Sequence, residues 1–432
     1  MSNNGRKRIL VSAIACNPYW GSEALHGWLA CRSLALLGEI WVLAHESNRE
    51  GIEKAIAAGI VPDSMHFVFA GKNQSHSKNR LLARLQGWWH YMAYWPREIL
   101  SVAYELHEKH RFDLAHHVTY STWRVESPLW RLGIPLIWGP ISGTEKFPLT
   151  RFWPILSMSG RLFEMARICG GFFSHYLTPG VALCAKNSYH IFAAHKEAVA
   201  FLSELRGSAE GITVQSYYSF SPQDIEKLAR PRFEVSDRPL KILAGGNLEG
   251  RKGVAIALEA LGLAKKSGVK FSYRITGNGP ERQHLQKLAE QLGIAGDVTI
   301  GQGFSREEYL RELKETDIYL LPSLREGGGL TMMEAMLSGC VPIVADAGGP
   351  GTAVDNGCGF KIPVKTSRQM AEEIRDAIVY LDRNRKEIAE MGARAAQRIA
   401  GNYTESRFNE VMKECYERAV SLRKEGAGAP VG

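Results

Sequence analysis

Short apolar runs alternate along the chain with longer stretches in which apolar residues recur at helical spacing. In the first half the buried-strand candidates are Arg8–Ala15 (RILVSAIA), Glu39–Ala44, Met65–Ala70, Asp113–Thr119 and Ile134–Trp138. A helical pattern follows Gly21, and helices or loops separate the remaining runs. After Phe220 the pattern breaks at Ser221-Pro222, and the polar stretch Pro231–Pro239 (PRFEVSDRP) reads as a linker. The alternation then restarts with KILAGG, FSYRITG, DVTIGQ, DIYLLPS and VPIVAD, each separated from the next by a helix or loop. Strands alternating with helices predict parallel sheets in βαβ units. The expected fold class is therefore α/β, with two doubly wound domains and a cleft between them. The expected boundaries are 1–225, 238–400, and a closing amphipathic helix with a tail over 401–432 that packs back on the first domain.

Composition narrows the class. An apolar share of 45% with 23% charged residues is globular usage, which excludes wholesale disorder. No apolar run reaches the length of a membrane span, and the start reads as a loose tip feeding a strand and not as a signal peptide. Seven Cys without CxxC or Cys/His ligand spacing predict reduced thiols and a cytoplasmic chain. The net charge of +8 fits nucleic acid, a membrane surface or a phosphate-bearing substrate, and by itself selects none of them.

Two stretches of the first half are both aromatic and basic. Ser77–Leu106 gathers Trp88, Trp89, Tyr91, Tyr94 and Trp95 among Arg and Lys, and Arg151–Leu177 is apolar and basic with one acid, Glu164. Such residues suit the headgroup region of an anionic bilayer. They suit a core or a dimer interface equally well, so both readings stand.

The motif richest in chemistry is Glu326–Ala335 (EGGGLTMMEA), directly after the run DIYLLPSLR. Three glycines let backbone approach a ligand closely where a helix begins, and free N–H groups there attract an anion such as a diphosphate. Glu334 falls about two turns into that helix, where a carboxylate can hold a ribose, and Glu326 can hold a transferred sugar. Taken alone, the segment is also an ordinary Gly-rich turn before a surface helix.

This segment resembles the E-x7-E motif of the retaining glycosyltransferases of family four, whose GT-B fold sets two Rossmann-like domains across a cleft. Ala244–Gly253 (AGGNLEGRKG) is similar to that family's diphosphate loop, with Lys252 as the phosphate lysine. Thr276–Pro280 (TGNGP) and the loop Gly301–Phe304 are similar to its base-proximal positions. Leu337–Asp346 with Gly348 and Gly349 is similar to the stretch after the E-x7-E helix. Asn17–Glu23 (NPYWGSE) resembles the Gly-rich loop after the first strand, and Ile137–Glu145 (IWGPISGTE) the W-G-P-x-x-G-x-E segment of one bacterial subgroup. The resemblance implies a retaining, metal-independent hexosyltransferase that uses a nucleoside-diphosphate sugar, by preference a UDP-sugar, as co-substrate and no cofactor. It implies donor contacts from Gly21, Gly246, Asn247, Arg251, Lys252, Gly277, Gln302, Gly303, Glu326, Gly327, Gly328, Gly329, Leu330 and Glu334. The implied catalytic groups are Lys252, Arg251, Glu326 and one of His116 and His117, with Glu23 and Glu145 toward the acceptor.

Several positions depart from the family. Asn247 stands where an Arg is usual, and Arg251 adjoins Lys252 instead. The family's His-x-His is here the adjacent pair His116-His117, which a strand points to opposite faces. The reading leans to His117, with His116 packed or paired. Glu145 reads as an acceptor contact or as a solvated loop acid. The implied acceptor is a glycan or lipid-linked hydroxyl in polysaccharide or glycolipid biosynthesis, met in the cytoplasm or on an anionic membrane surface at the inner face of the plasma membrane. A GT-B-like sugar-nucleotide epimerase or phosphorylase is the enzyme alternative, and a non-catalytic anionic-ligand or nucleic-acid-binding protein the alternative from another class. Nucleic acid is not expected as a partner, since no matching module or basic arm is present. GxGxxG after the first strand, GxxxxGK[ST] and DxD are also missing from the sequence.

Overall fold

The computed structural model describes residues 6–21, 23–71, 94–145, 147–177, 179–229, 238–301 and 304–427. Contacts divide the chain into two units, Met1–Thr144 with Gly171–Tyr217 and Glu405–Gly432, and Glu145–Gly170 with Tyr218–Thr404. The segment Glu145–Gly170, which lies in the first half of the sequence, is thus part of the second unit's packing.

The first unit holds a seven-stranded sheet of β1 (Lys7–Ala13), β2 (Gly38–His45), β3 (Met65–Ala70), β4 (Leu114–Thr119), β5 (Leu136–Ile141), β6 (His190–Ala193) and β7 (Ile212–Val214). Its order is β3-β2-β1-β4-β5-β6-β7, and every neighbouring pair is parallel. Helices cover both faces, so the strands are buried on both sides, as parallel sheets require. Leu10, Leu43, Ala115 and Leu136 pack in one core cluster, while Ile9, Val11, Val42, Leu114 and Val118 pack in another. The helix Glu405–Ala427 sets Phe408, Met412, Tyr416 and Ala419 into the second of these clusters.

The second unit holds β8 (Leu240–Gly245), β9 (Phe271–Thr276), β10 (Val298–Gly301), β11 (Ile318–Leu321), β12 (Val341–Ala345) and β13 (Phe360–Ile362). The order is β10-β9-β8-β11-β12-β13, again parallel throughout. Both sheets reverse direction of growth beside their first strand, the Rossmann arrangement, so the α/β expectation holds. In such sheets ligands bind beyond the carboxyl ends of strands at that reversal. Here it falls between β8 and β11, whose following loops carry Lys252 and Glu326.

Three strands, β6, β7 and β13, were not anticipated from the sequence. Each is three or four residues long, and β13 has a Lys at its centre, so none gives a periodic signal. Of the first aromatic-basic stretch, Trp88, Trp89 and Tyr91 lie outside the described residues. Trp95 is buried with Ile99 and Ala103, while Tyr94 and Tyr104 are exposed, so the described part of that stretch has one face in the core and one outside it.

Candidate functional site

The site in the second unit is assembled by two loops that lock onto each other. After β8 the chain passes Gly246 and Asn247 and makes a short 3-10 turn over Gly250–Lys252. Backbone N–H of Leu324 donates to Arg251 O (2.8 Å), and Ser323 Oγ donates to the same oxygen (3.2 Å). Gly277 holds φ at 130°, and a Cβ there would meet Gly246 O at 2.1 Å, so the two Gly-rich loops can touch only because no side chain intervenes. On the far side, a Cβ on Gly348 would meet Glu326 O at 2.2 Å, and Gly349 N–H donates to that carbonyl at 2.9 Å.

These constraints aim Lys252 Nζ at the Glu326 carboxylate, with which it forms an ion pair. Arg251 Nη1 lies 3.6 Å from the same carboxylate, donates to Arg325 O at 2.9 Å, and its Nε binds Glu249 at 2.7 Å. Arg251 therefore stands at Glu326 as a second cation. Asn247 brings no charge, and its carbonyl accepts from Glu249 N–H within the loop. Burial pushes the Glu326 carboxyl up, but Lys252 and Arg251 outweigh it and hold the group below the usual carboxylate range. The charge of Glu145 opposes them, which places this acid in the electrostatic surroundings of Glu326. Glu145 is buried and not the solvated loop acid that its sequence context permits.

Gly327, Gly328 and Gly329 lead into the helix Leu330–Leu337, with Gly329 (φ 80°) as its N-cap and Leu330 as its first residue. Its first N–H groups are the unsatisfied donors of a helix start. Glu334 lies on this helix and is 4% exposed. Its Oε1 meets Arg306 at 2.7 Å, while Oε2 is buried without a hydrogen-bond partner among the described residues. Burial raises this carboxyl above its ordinary value despite Arg306. Arg306 is presented by a capping box in which Ser305 and Glu308 close the start of the helix Arg306–Glu315. Gln302 and Gly303 lie outside the described residues.

The first unit receives the remaining sequence candidates. His116 and His117 do point to opposite faces of β4. His116 Nδ1 meets Tyr416 Oη at 2.5 Å and its Nε2 meets Gly139 O at 2.9 Å, so both ring nitrogens are satisfied in the core. His117 is also buried, its Nδ1 3.2 Å from Ser12 Oγ and its Nε2 3.3 Å from Tyr120 O. Burial pulls the two imidazoles down to about 3 and about 4, respectively. Both are neutral at pH 7. Gly21 precedes the helix Glu23–Leu34, and Glu23 accepts from Ser121 N–H at 2.7 Å. Burial raises the Glu23 carboxyl.

Sequence reasoning missed a buried pair behind the Glu326 loop. Arg325 donates from Nη1 and Nη2 to the two oxygens of Glu164, at 2.5 and 3.0 Å, and both side chains are nearly inaccessible. The available signal was Glu164 itself, the one acid in a basic, apolar stretch. Arg306 was missed too, since nothing in sequence marks a helix start as facing a helix more than twenty residues on. Among the described residues no group of three His, Cys, Asp or Glu side chains is arranged to hold a metal ion.

Residues 226–415 match the family described as Glycosyl transferases group 1. The putative colanic acid biosynthesis glycosyltransferase WcaL of Escherichia coli (strain K12) is 30% identical over 199 residues, 44% of this chain and 46% of that protein. The chain spans about half the length of the curated relatives it matches, or less. Anabaena Alr3699/HepE, solved in complex with UDP, superposes with TM-score 0.63 at 16% identity, covering 95% of this chain and 100% of that one. Sucrose-phosphate synthase (tll1590) from Thermosynechococcus elongatus gives 0.64 at 14%, covering 96% and 100%. At these identities the solved structures speak for the fold alone. The architecture is the GT-B type, and the sequence likeness to group 1 glycosyltransferases falls on the part that carries Lys252, Glu326 and Glu334.

Proposed function

We propose that the protein is a retaining glycosyltransferase of family four, taking its sugar from a nucleoside-diphosphate donor, a UDP-sugar by preference. The observation that carries this reading is the pairing of Lys252 and Arg251 with Glu326 at the start of a Gly-rich helix. Two fixed cations and a row of helix-start N–H groups suit the charge that builds on a departing diphosphate. Glu326 then exchanges part of its pairing for the hydroxyls of the transferred sugar. The buried, unpartnered Oε2 of Glu334 suits a ribose hydroxyl. HepE, which shares the fold, is described in complex with UDP, in keeping with a uridine donor.

The chemistry is a same-face displacement. The acceptor hydroxyl attacks the anomeric carbon as the bond to the diphosphate breaks, and a diphosphate oxygen takes the hydroxyl proton. No chain carboxylate is required as nucleophile, and the cations of the loop stand in for a metal. Glu145, buried near Glu326, and Glu23 are the acids assigned to the acceptor, a glycan or lipid-linked hydroxyl in polysaccharide or glycolipid biosynthesis. The setting is cytoplasmic, on an anionic membrane surface at the inner face of the plasma membrane. Neither His116 nor His117 reaches solvent, so the proposal gives neither a proton to move.

A donor screen tests the reading by following release of UDP, GDP and ADP from their sugar conjugates, with and without a chelator. Turnover is expected from one nucleotide class and unchanged by chelation. Lys252→Ala and Glu326→Gln are each expected to lose about 10²–10³ in rate, equivalent to about 3–4 kcal/mol of transition-state stabilisation, while remaining folded. Near-normal turnover by both variants would sink the reading.

A further inference from the structure

The helix Met158–Leu177 reverses the usual arrangement of an amphipathic helix. Over its first three turns the residues turned inward are Gly160 and Glu164, the latter closed off by Arg325. The residues turned outward are Met158, Leu162, Phe163, Met165 and Ile168, with Leu162 60% and Phe163 54% exposed. Ordinary surface helices carry their apolar stripe inward. Isolated exposed apolar side chains need no explanation, but five within three turns of one helix form a patch.

Outside the core the charge of this stretch is basic, and Glu281, which accepts from Ser157 at the start of the helix, is buried. Arg161 and Arg167 flank the patch, Arg161 lying over the Trp153 ring at 4.9 Å, and the only acid of the stretch Arg151–Leu177 is Glu164, buried and neutralised. The patch is also small. Twelve residues of helix span about 18 Å, and one strip of that length offers far less than the roughly 800 Å² per partner of a stable protein interface. A bilayer sets no such minimum area, since each side chain that enters the headgroup boundary contributes separately, and basic residues beside them meet anionic lipid.

We propose that this face docks the protein on an anionic lipid surface, with the helix lying in the plane of the headgroups. The proposal deepens the membrane setting given above, and it requires no donor chemistry. It also links lipid to the donor loop, because the inward Glu164 of the docked helix holds the Arg325 that precedes Glu326.

The test is co-sedimentation of the full chain with vesicles of phosphatidylcholine alone or mixed with phosphatidylglycerol, at low and high salt. The parent protein is expected to bind the mixed vesicles at least tenfold better than the neutral ones, and to lose that preference in high salt. A Leu162→Ser/Phe163→Ser/Ile168→Ser variant is expected to lose at least tenfold in binding, with an unchanged melting temperature and unchanged affinity for UDP or GDP, whichever the parent binds. Those last two measurements keep failure of this proposal apart from failure of the donor reading. Parent protein that ignores anionic vesicles, or a variant that binds them as well as the parent does, overturns it. So does a parent dimer that the three substitutions convert to monomer, which would assign the patch to a second copy of the chain.

Discussion

The two units bury ionisable groups in opposite ways. In the first, the buried titratable side chains include imidazoles kept neutral: His26 and His117 are pulled down to about 4 and His116 to about 3, in each case chiefly by burial. In the second, charge stays and is paired. Glu326 meets Lys252 and Arg251, Glu164 meets Arg325, Asp317 meets Arg238 at 2.7 Å, and Glu334 meets Arg306. A unit that keeps cations inside its loops can exchange a carboxylate partner for a ligand's phosphate. A unit that has discharged its imidazoles has no such anion site to offer from them. The contrast explains why the diphosphate chemistry is assigned to the second unit.

The largest effect that probes this contrast comes from the pair with no ligand to receive. Glu164→Ala leaves the Arg325 guanidinium buried without its carboxylate, and breaking such a pair costs about 3–5 kcal/mol. Hydrogen exchange should rise in peptides covering the Glu326 loop, and transfer should fall with it. Replacing both partners, Glu164→Leu with Arg325→Met, should restore most of the stability, because well-packed apolar residues often replace a buried pair at no net loss. If the single variant melts like the parent, the pair is not what holds the loop.

Acid should separate the units next. The folded-state values of His26, His116 and His117 lie below the unfolded value near 6.5, so between those limits the unfolded chain binds more protons. Stability from these groups is therefore complete above about pH 6.5 and is lost as pH falls toward 4, and toward 3 for His116. The slope is about 1.4 kcal/mol per pH unit for each imidazole across that window. Glu326, held low by its cations, keeps its contribution until the pH falls below the ordinary carboxylate range. Hydrogen exchange at pH 7 and pH 5 should show β1 and β4 losing protection before β8 and β11. Equal loss in both sheets would remove the distinction.

The same contrast decides what was legible in the chain. Repeating βα periodicity made the two α/β halves readable, and E-x7-E with AGGNLEGRKG marked Glu326, Glu334 and Lys252 in order, because local spacing carries that chemistry. Glu164 and Arg325 are distant in sequence and meet only through the fold, so no window contains their pairing. The opposite faces of His116 and His117 follow from strand geometry, but the burial of both does not. It depends on Tyr416, three hundred residues away, and on the turn at Tyr120. The segment Glu145–Gly170 was unreadable for the same reason: its apolar residues Phe147, Phe152, Ile155 and Leu156 have no period that names the sheet they cover.

The smallest effect sharpens the comparison by showing that depth, and not the presence of an ion pair, sets the energy. Arg368 and Glu372 lie four residues apart on the helix Ser367–Arg383 at 3.0 Å, with the arginine side chain 89% exposed. Water screens that pair almost fully, so Arg368→Gln should change stability by under about 0.5 kcal/mol. It belongs to the same unit as Glu164 and Arg325, with the same charge types at a similar distance. Denaturant midpoints for Arg368→Gln and Glu164→Ala, measured side by side, should therefore differ by most of the buried pair's full cost. Comparable midpoints for the two would mean that the second unit is held by its total charge balance and not by charges enclosed in its loops.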